Sequence, residues 1–190
     1  MIRKSLVNKS HVDLILKMTK ALLYLPLLIL PACVKVPDNV KTVDGFEINR
    51  YLGSWYEIAR LDHSFERGLS NVSAEYELRP DGGVKVLNKG FNKISGKWKE
   101  AEGKAYFVSS PDIGRLKVSF FGPFYGAYNI IALDKVNYSY SLVCGPKRSY
   151  LWILSRTPKL DEVTLGRLID HAKAMGFDTD KLIFVEQSSN

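Results

Sequence analysis

The sequence predicts an all-β fold: an eight-stranded antiparallel up-and-down barrel followed by one C-terminal α-helix and a short ninth strand. Three observations predict it. Short runs of alternating apolar and polar residues follow one another from Gly53 to about Arg156. The segments between them are rich in tight-turn chemistry, and a single later stretch carries helical periodicity. Short strands joined in sequence by tight turns favour a meander, and eight of them can close on themselves without leaving a free edge.

The strands are expected at 53–61, 71–79, 83–92, 97–108, 115–121, 125–134, 138–144 and 149–156. Alternation is clearest in the second, where Val72, Ala74, Tyr76 and Leu78 share one face and Ser73, Glu75 and Glu77 the other. Val84-Lys85-Val86 and Leu116-Lys117-Val118-Ser119-Phe120 repeat the pattern. Separators include Pro80-Asp81-Gly82-Gly83, Ser95-Gly96, Ser110-Pro111-Asp112, Gly122-Pro123 and Gly145-Pro146. Strand 149–156 is apolar on both faces: Tyr150, Trp152 and Leu154 against Leu151 and Ile153. That is expected where one face lines a barrel and a helix covers the other. The helix follows, with Asp161 as its cap, Leu165, Leu168, Ile169, Ala172 and Met175 as its apolar stripe, and Gly176 as its stop. Leu182–Val185 supplies the ninth strand. A membrane-spanning barrel would turn the apolar faces outward. The striped helix and short strands favour the opposite sense, with the apolar faces inside.

Residues before the barrel have a different character. Ala21–Val34 carries no charge and is preceded by Lys17 and Lys20. These fourteen residues, interrupted by Pro26 and Pro31, fall short of the ~20 that a spanning helix needs. A basic segment, an apolar segment and a small residue are the parts of an export signal. We therefore expect a signal peptide over 1–32, a tether over 33–45 that is too polar to pack, and a barrel domain over 46–190. Met18 is an alternative start. Of 27 basic and 20 acidic residues, five and one fall within 1–32, which leaves 22 against 19 from Cys33 onward. Those charges are interspersed, so no nucleic-acid partner is expected.

Leu30-Pro31-Ala32-Cys33 resembles a bacterial lipobox, in which Cys33 would receive lipid and become the mature N-terminus. Val34 rather than aspartate after it resembles the sorting pattern for the outer membrane. Gly53-Ser54-Trp55-Tyr56 resembles the GxW motif that opens the first strand of lipocalins. Asp134 resembles the aspartate of their second motif, with Leu133 where threonine is usual, and Arg156 the arginine that ends their eighth strand. The runs GSWYEIAR, FERG, KVSFFGPFYGAYNIIALD, LVCGP and YLWILSRTP are similar to the bacterial, outer-membrane lipoprotein branch of the lipocalin family. Apolipoprotein D and plant temperature-induced lipocalins resemble it more distantly. The resemblance implies a lipid-anchored domain facing the periplasm that carries or stores fatty acid or lysophospholipid, with membrane contact through Cys33 and a homodimer left open.

In an up-and-down barrel the first strand starts, and the sixth and eighth end, at one end. Trp55, Asp134 and Arg156 therefore meet there and are expected to close the base, with Arg156 across the Trp55 ring. The opposite mouth is formed by His63–Ser70, Asn92–Gly96, Gly122–Gly126 and Gly145–Ser149, where Phe121, Phe124 and Tyr125 stand near Arg67, Lys147 and Arg148. Alternation nominates a ligand lining of Ala74, Tyr76, Val86, Asn88, Ala105, Phe107, Val118, Phe120, Tyr128, Ile130, Ser141 and Trp152, mostly apolar with a few orienting hydroxyl or amide groups. A filled barrel serving as a structural envelope lipoprotein is one alternative. A lipid-modifying enzyme using Cys144 is the other, although a buried inert thiol is the simpler reading of that residue. From Cys33 onward the histidines are His63 and His171, on different elements, so no catalytic residues, metal or cofactor are expected.

Overall fold

A computed structural model describes residues 34–188. Eight strands close into an antiparallel barrel: β1 (Gly53–Arg60), β2 (Leu69–Leu78), β3 (Val84–Asn92), β4 (Lys97–Phe107), β5 (Arg115–Phe121), β6 (Phe124–Leu133), β7 (Tyr140–Cys144) and β8 (Leu151–Ser155). Each pairs with its neighbour in sequence, and β1 pairs with both β8 and β2 to close the cylinder. Each boundary lies within two residues of the expected one, because the turn residues that end strands are local signals. A four-residue helix, α1 (Ile48–Tyr51), precedes β1, and α2 (Glu162–Ala174) follows β8. Asp161 Oδ1 accepts the Thr164 amide at 2.9 Å to cap α2, and Gly176, at φ +81°, lies just past its end.

The two faces of the barrel wall are buried for different reasons. Inside, Trp55, Tyr76, Val84, Val86, Leu116, Ile130, Val143 and Leu154 form one core. Outside, Ile58, Ala59, Ile131, Leu142, Cys144, Leu151 and Ile153 form a second core with Leu168 and Ala172 of α2. Strand β8 serves both, which explains its apolar residues on both faces. On the far side no helix among the described residues covers the wall, and the outward faces of β2–β4 carry charge. Lys85 lies 3.4 Å from Glu77 and 3.8 Å from Glu102, and Lys89 lies 3.1 Å from Glu100. A charged outer wall is incompatible with a lipid-facing barrel. Among the described residues no helix is long and apolar enough to cross a membrane.

The ninth strand, β9 (Ile183–Phe184), pairs with Ala59 and Arg60 of β1 at the mouth end, where β1 has left β2. Gln187 Nε2 fills that gap by donating to Glu57 O at 2.8 Å and Val72 O at 2.9 Å. The segment 34–45 differs from its expected role as an unpacked tether. Val40 joins the outer core with Val36 against it, and Val43 packs against the inner core. The Val43 amide donates to Ile130 O and its carbonyl accepts the Gly114 amide, both at 2.9 Å. Three valines, with backbone hydrogen bonds to the wall, hold an otherwise polar segment in place.

Candidate functional site

The barrel is shut at one end by groups that capture one another's backbone. Trp55 is fully buried, and its Nε1 donates to Tyr51 O at 2.8 Å, which pins α1 across the base. Arg156 lies over the Trp55 ring, 4.1 Å from guanidinium carbon to centroid, a contact of about 1–2 kcal/mol when shielded from water. Its nitrogens donate to Ser54 O and Arg50 O at 2.8 Å and to Tyr138 O at 3.3 Å. Gly53 adopts φ +86° beside Arg156, a conformation that other residues rarely take. Asp134 is at the same end but touches neither partner. It holds the β6–β7 turn, accepting Ser139 Oγ at 2.5 Å and the Val136 and Asn137 amides. Burial works against its charge, yet these hydrogen bonds hold its carboxyl below the usual range.

Above the base is a cavity of about 120 Å³. Nine of the nominated residues line it: Ala74, Tyr76, Val86, Asn88, Ala105, Val118, Phe120, Tyr128 and Trp152. Phe107, Ile130 and Ser141 do not. Ile130 and Phe107 belong to the packed inner core, with Phe107 edge-on to Phe46 at 6.2 Å. Ser141 is buried and accepts the Tyr51 hydroxyl at 3.2 Å. Alternation assigns a residue to the inward face but says nothing of its height along the barrel. The Tyr128 hydroxyl sits between those of Tyr51 and Tyr76 at 2.8 and 2.9 Å, giving the cavity a hydroxyl floor. Burial raises all three phenols, Tyr51 to about 12, so the floor is polar and uncharged.

A second polar group, unanticipated from sequence, stands on the β1 side. Glu57 and Glu66 line the cavity, and Arg60 and His63 are buried behind them. Arg60 Nη1 donates to Glu57 Oε1 at 2.6 Å, and its Nη2 donates to Glu66 O at 2.9 Å. Glu66 Oε2 accepts Trp152 Nε1 at 3.1 Å. His63 Nε2 lies 3.0 Å from the same oxygen without the alignment of a hydrogen bond, and its ring stacks on Phe65 at 4.0 Å. Burial, reinforced by negative Glu66, pushes the Glu57 carboxyl well above the ordinary range, against the pull of Arg60. Trp55 and Glu57 share the inward face by simple alternation, which was the available signal for Glu57. Arg60 escapes it, because a bulge between Glu57 and Ala59 turns Ala59 outward and Arg60 inward.

The remaining candidates lie apart from the cavity. Cys144 is fully buried in the outer core under α2, and burial pushes its thiol up to about 12. Its side chain packs in the outer core and does not line the cavity, and burial disfavours the thiolate. That burial favours the inert-thiol reading of Cys144 over the enzyme alternative. His171 is exposed on α2. Among the described residues no cluster of metal-ligating side chains occurs. Cys33, Met1 and Met18 lie outside the described residues.

Comparison with known proteins agrees with this architecture. A family model for the lipocalin-like domain matches residues 46–187, from the start of the base to the C-terminal tail. The chain is similar to outer membrane lipoprotein Blc of Vibrio cholerae, at 58% identity over 159 residues, spanning 84% of this chain and 93% of that protein. To outer membrane lipoprotein Blc of Escherichia coli it is 56% identical over 151 residues, 80% of this chain and 85% of that one. Insecticyanin of the tobacco hornworm Manduca sexta shares the fold, with a TM-score of 0.65 at 22% identity over 82% of this chain and 88% of its own. The matched stretch coincides with the barrel, its arginine-capped base and its cavity, and the chain belongs to the lipocalin family, whose barrels hold small hydrophobic ligands and act as carriers rather than enzymes.

Proposed function

We propose that this protein binds and carries or stores an amphiphilic lipid, a fatty acid or a lysophospholipid, at the bacterial outer membrane, anchored by lipid on Cys33 with its domain in the periplasm. The observation that carries the reading is the apolar cavity, closed at the base and open at the mouth. Buried methylenes contribute up to ~0.8 kcal/mol each, less the ordering cost of binding. An acyl chain fits such a shape tail-first. The head group then meets Lys97 and Lys99, exposed at the start of β4 on the same face as cavity-lining Ala105. Two cations at that height suit a carboxylate or a phosphate. The leader and Cys33, together with relatives named outer membrane lipoproteins, support the location.

The rival reading, a structural lipoprotein with a filled barrel, is disfavoured by the free volume above the tyrosine floor. Native mass spectrometry of the chain from Val34 onward, mixed with fatty acids and lysophospholipids, tests the proposal. Stoichiometric retention of one class, displaced by a competitor of that class, is expected. No retention at micromolar lipid would return the lead to the structural reading.

A further inference from the structure

We infer that the barrel mouth is a membrane-docking face that rests on the phospholipid surface to which the chain is anchored, so that lipid passes between bilayer and cavity without crossing water. The inference rests on the proposal that Cys33 is lipidated, and two independent observations carry it.

The first is where the large exposed apolar side chains stand. Ile94 is 94% exposed, Phe121 81%, Phe124 65%, and Phe65 and Trp98 each 58%. All five belong to the β1–β2, β3–β4 and β5–β6 connections or the strand ends beside them, which the topology gathers at the mouth. The base exposes aliphatic groups, Leu78, Val108 and Val136, and among the described residues no aromatic ring. Aromatic rings mixed with lysines suit the head-group layer, where the ring is buried and the ammonium meets phosphate. Lys97, Lys99 and Lys147 are exposed on the same rim. An anionic bilayer complements this set.

The second is the course of residues 34–46. The Phe46 amide donates to Asp112 O at 2.8 Å in the β4–β5 connection, at the base. From there the chain runs up the outer wall in the reverse direction. Arg148 Nη2 donates to Asp38 O at 2.5 Å, and Asn129 Nδ2 donates to both Lys35 O at 3.2 Å and Gly145 O at 3.3 Å. Gly145 and Arg148 belong to the β7–β8 connection, at the mouth. Val34, the first described residue, therefore lies beside the mouth. An anchor fixed there by a packed segment brings the mouth, not the base, to the bilayer.

The test places a single environment-sensitive fluorophore on the mature acylated protein in vesicles of phosphatidylethanolamine and phosphatidylglycerol. One variant carries it through Ile94→Cys at the mouth, the other through Val136→Cys at the base; Cys144 is buried and does not compete for label. The label at 94 is expected to shift to the blue and to be quenched by brominated acyl chains, while the label at 136 keeps its aqueous spectrum. Adding Phe121→Ser and Phe124→Ser should return the 94 label to water and slow lysophospholipid transfer to acceptor vesicles about tenfold, with the protein still vesicle-bound. A water-like 94 label on anchored protein that still takes up lysophospholipid overturns docking and leaves the carrier reading standing. A shielded 94 label that brominated lipid does not quench overturns it in favour of a second copy packed on the mouth. A mature chain whose mass shows no acyl group removes the anchor and this inference with it.

Discussion

The base and the mouth of this barrel are built on opposite principles. At the base the donors that close the barrel are spent on the protein itself. Arg156 satisfies three backbone carbonyls and covers Trp55, and Tyr51 closes the floor beneath Tyr128. At the mouth, large apolar side chains face water and a buried acid–guanidinium cluster borders an apolar cavity. The base is organised for stability, and the mouth forgoes stability for contact with other molecules. Substitutions at the two ends should therefore separate folding from binding.

The largest effect is expected at the buried acid–guanidinium cluster of the mouth half. Glu57→Ala leaves the buried Arg60 Nη1 without its acceptor and should cost about 3 kcal/mol in denaturant unfolding. Glu57→Gln keeps an acceptor for Arg60 and resembles the protonated acid that burial favours. The sign of the pH effect follows from the raised carboxyl. Folded Glu57 holds its proton to higher pH than the unfolded chain, whose carboxyl titrates near 4.5. Stability of the native protein relative to Glu57→Gln should thus fall as pH rises from that value through the folded pKa. Parallel profiles for the two proteins would mean that Glu57 ionises as an ordinary surface acid.

At the base, Arg156→Ala should cost about 2 kcal/mol through the lost ring contact and stranded carbonyls, and lower Tm, with lipid affinity nearly unaltered. Loss of affinity without loss of stability would reverse the assignment of roles to the two ends. Trp152→Ala should weaken acyl-chain binding about fivefold to tenfold, roughly 1–1.4 kcal/mol, in fluorescent-lipid displacement. Unchanged affinity would remove the β8 wall from the binding surface. The smallest effect is expected for Phe121→Ser with Phe124→Ser, whose chemical stability should stay within about 0.5 kcal/mol of the parent. A larger loss would show that those rings support the hairpin rather than a partner.

Much of the molecule was legible in sequence. Turn chemistry and period-two alternation located the eight barrel strands, an apolar run the ninth, and the Asp161 cap with its apolar stripe located α2. Three resemblance residues marked the base, although Asp134 turns out to hold its own turn rather than meet Trp55. Nine of twelve nominated residues line the cavity, whereas Phe107, Ile130 and Ser141 share the inward face at other heights. The burial of His63 and Glu66 was hidden because a connection of polar composition reads as solvated. Only its fold over Trp152 carries those two side chains inward.

The sequence by itself determined which residues alternate, where the chain reverses and in what order strands meet, because these depend on neighbours a few positions apart. The tertiary structure alone decided height and partner. A bulge in β1 is set by pairing with two other strands, and it exchanges the faces of Ala59 and Arg60 against strict alternation. The course of residues 34–46 was decided the same way, since three valines acquire an address only when a finished wall presents its grooves. Alternation is a property of the backbone pleat, but depth, closure and the end of the barrel at which the anchor segment finishes arise from contacts between residues distant in the chain.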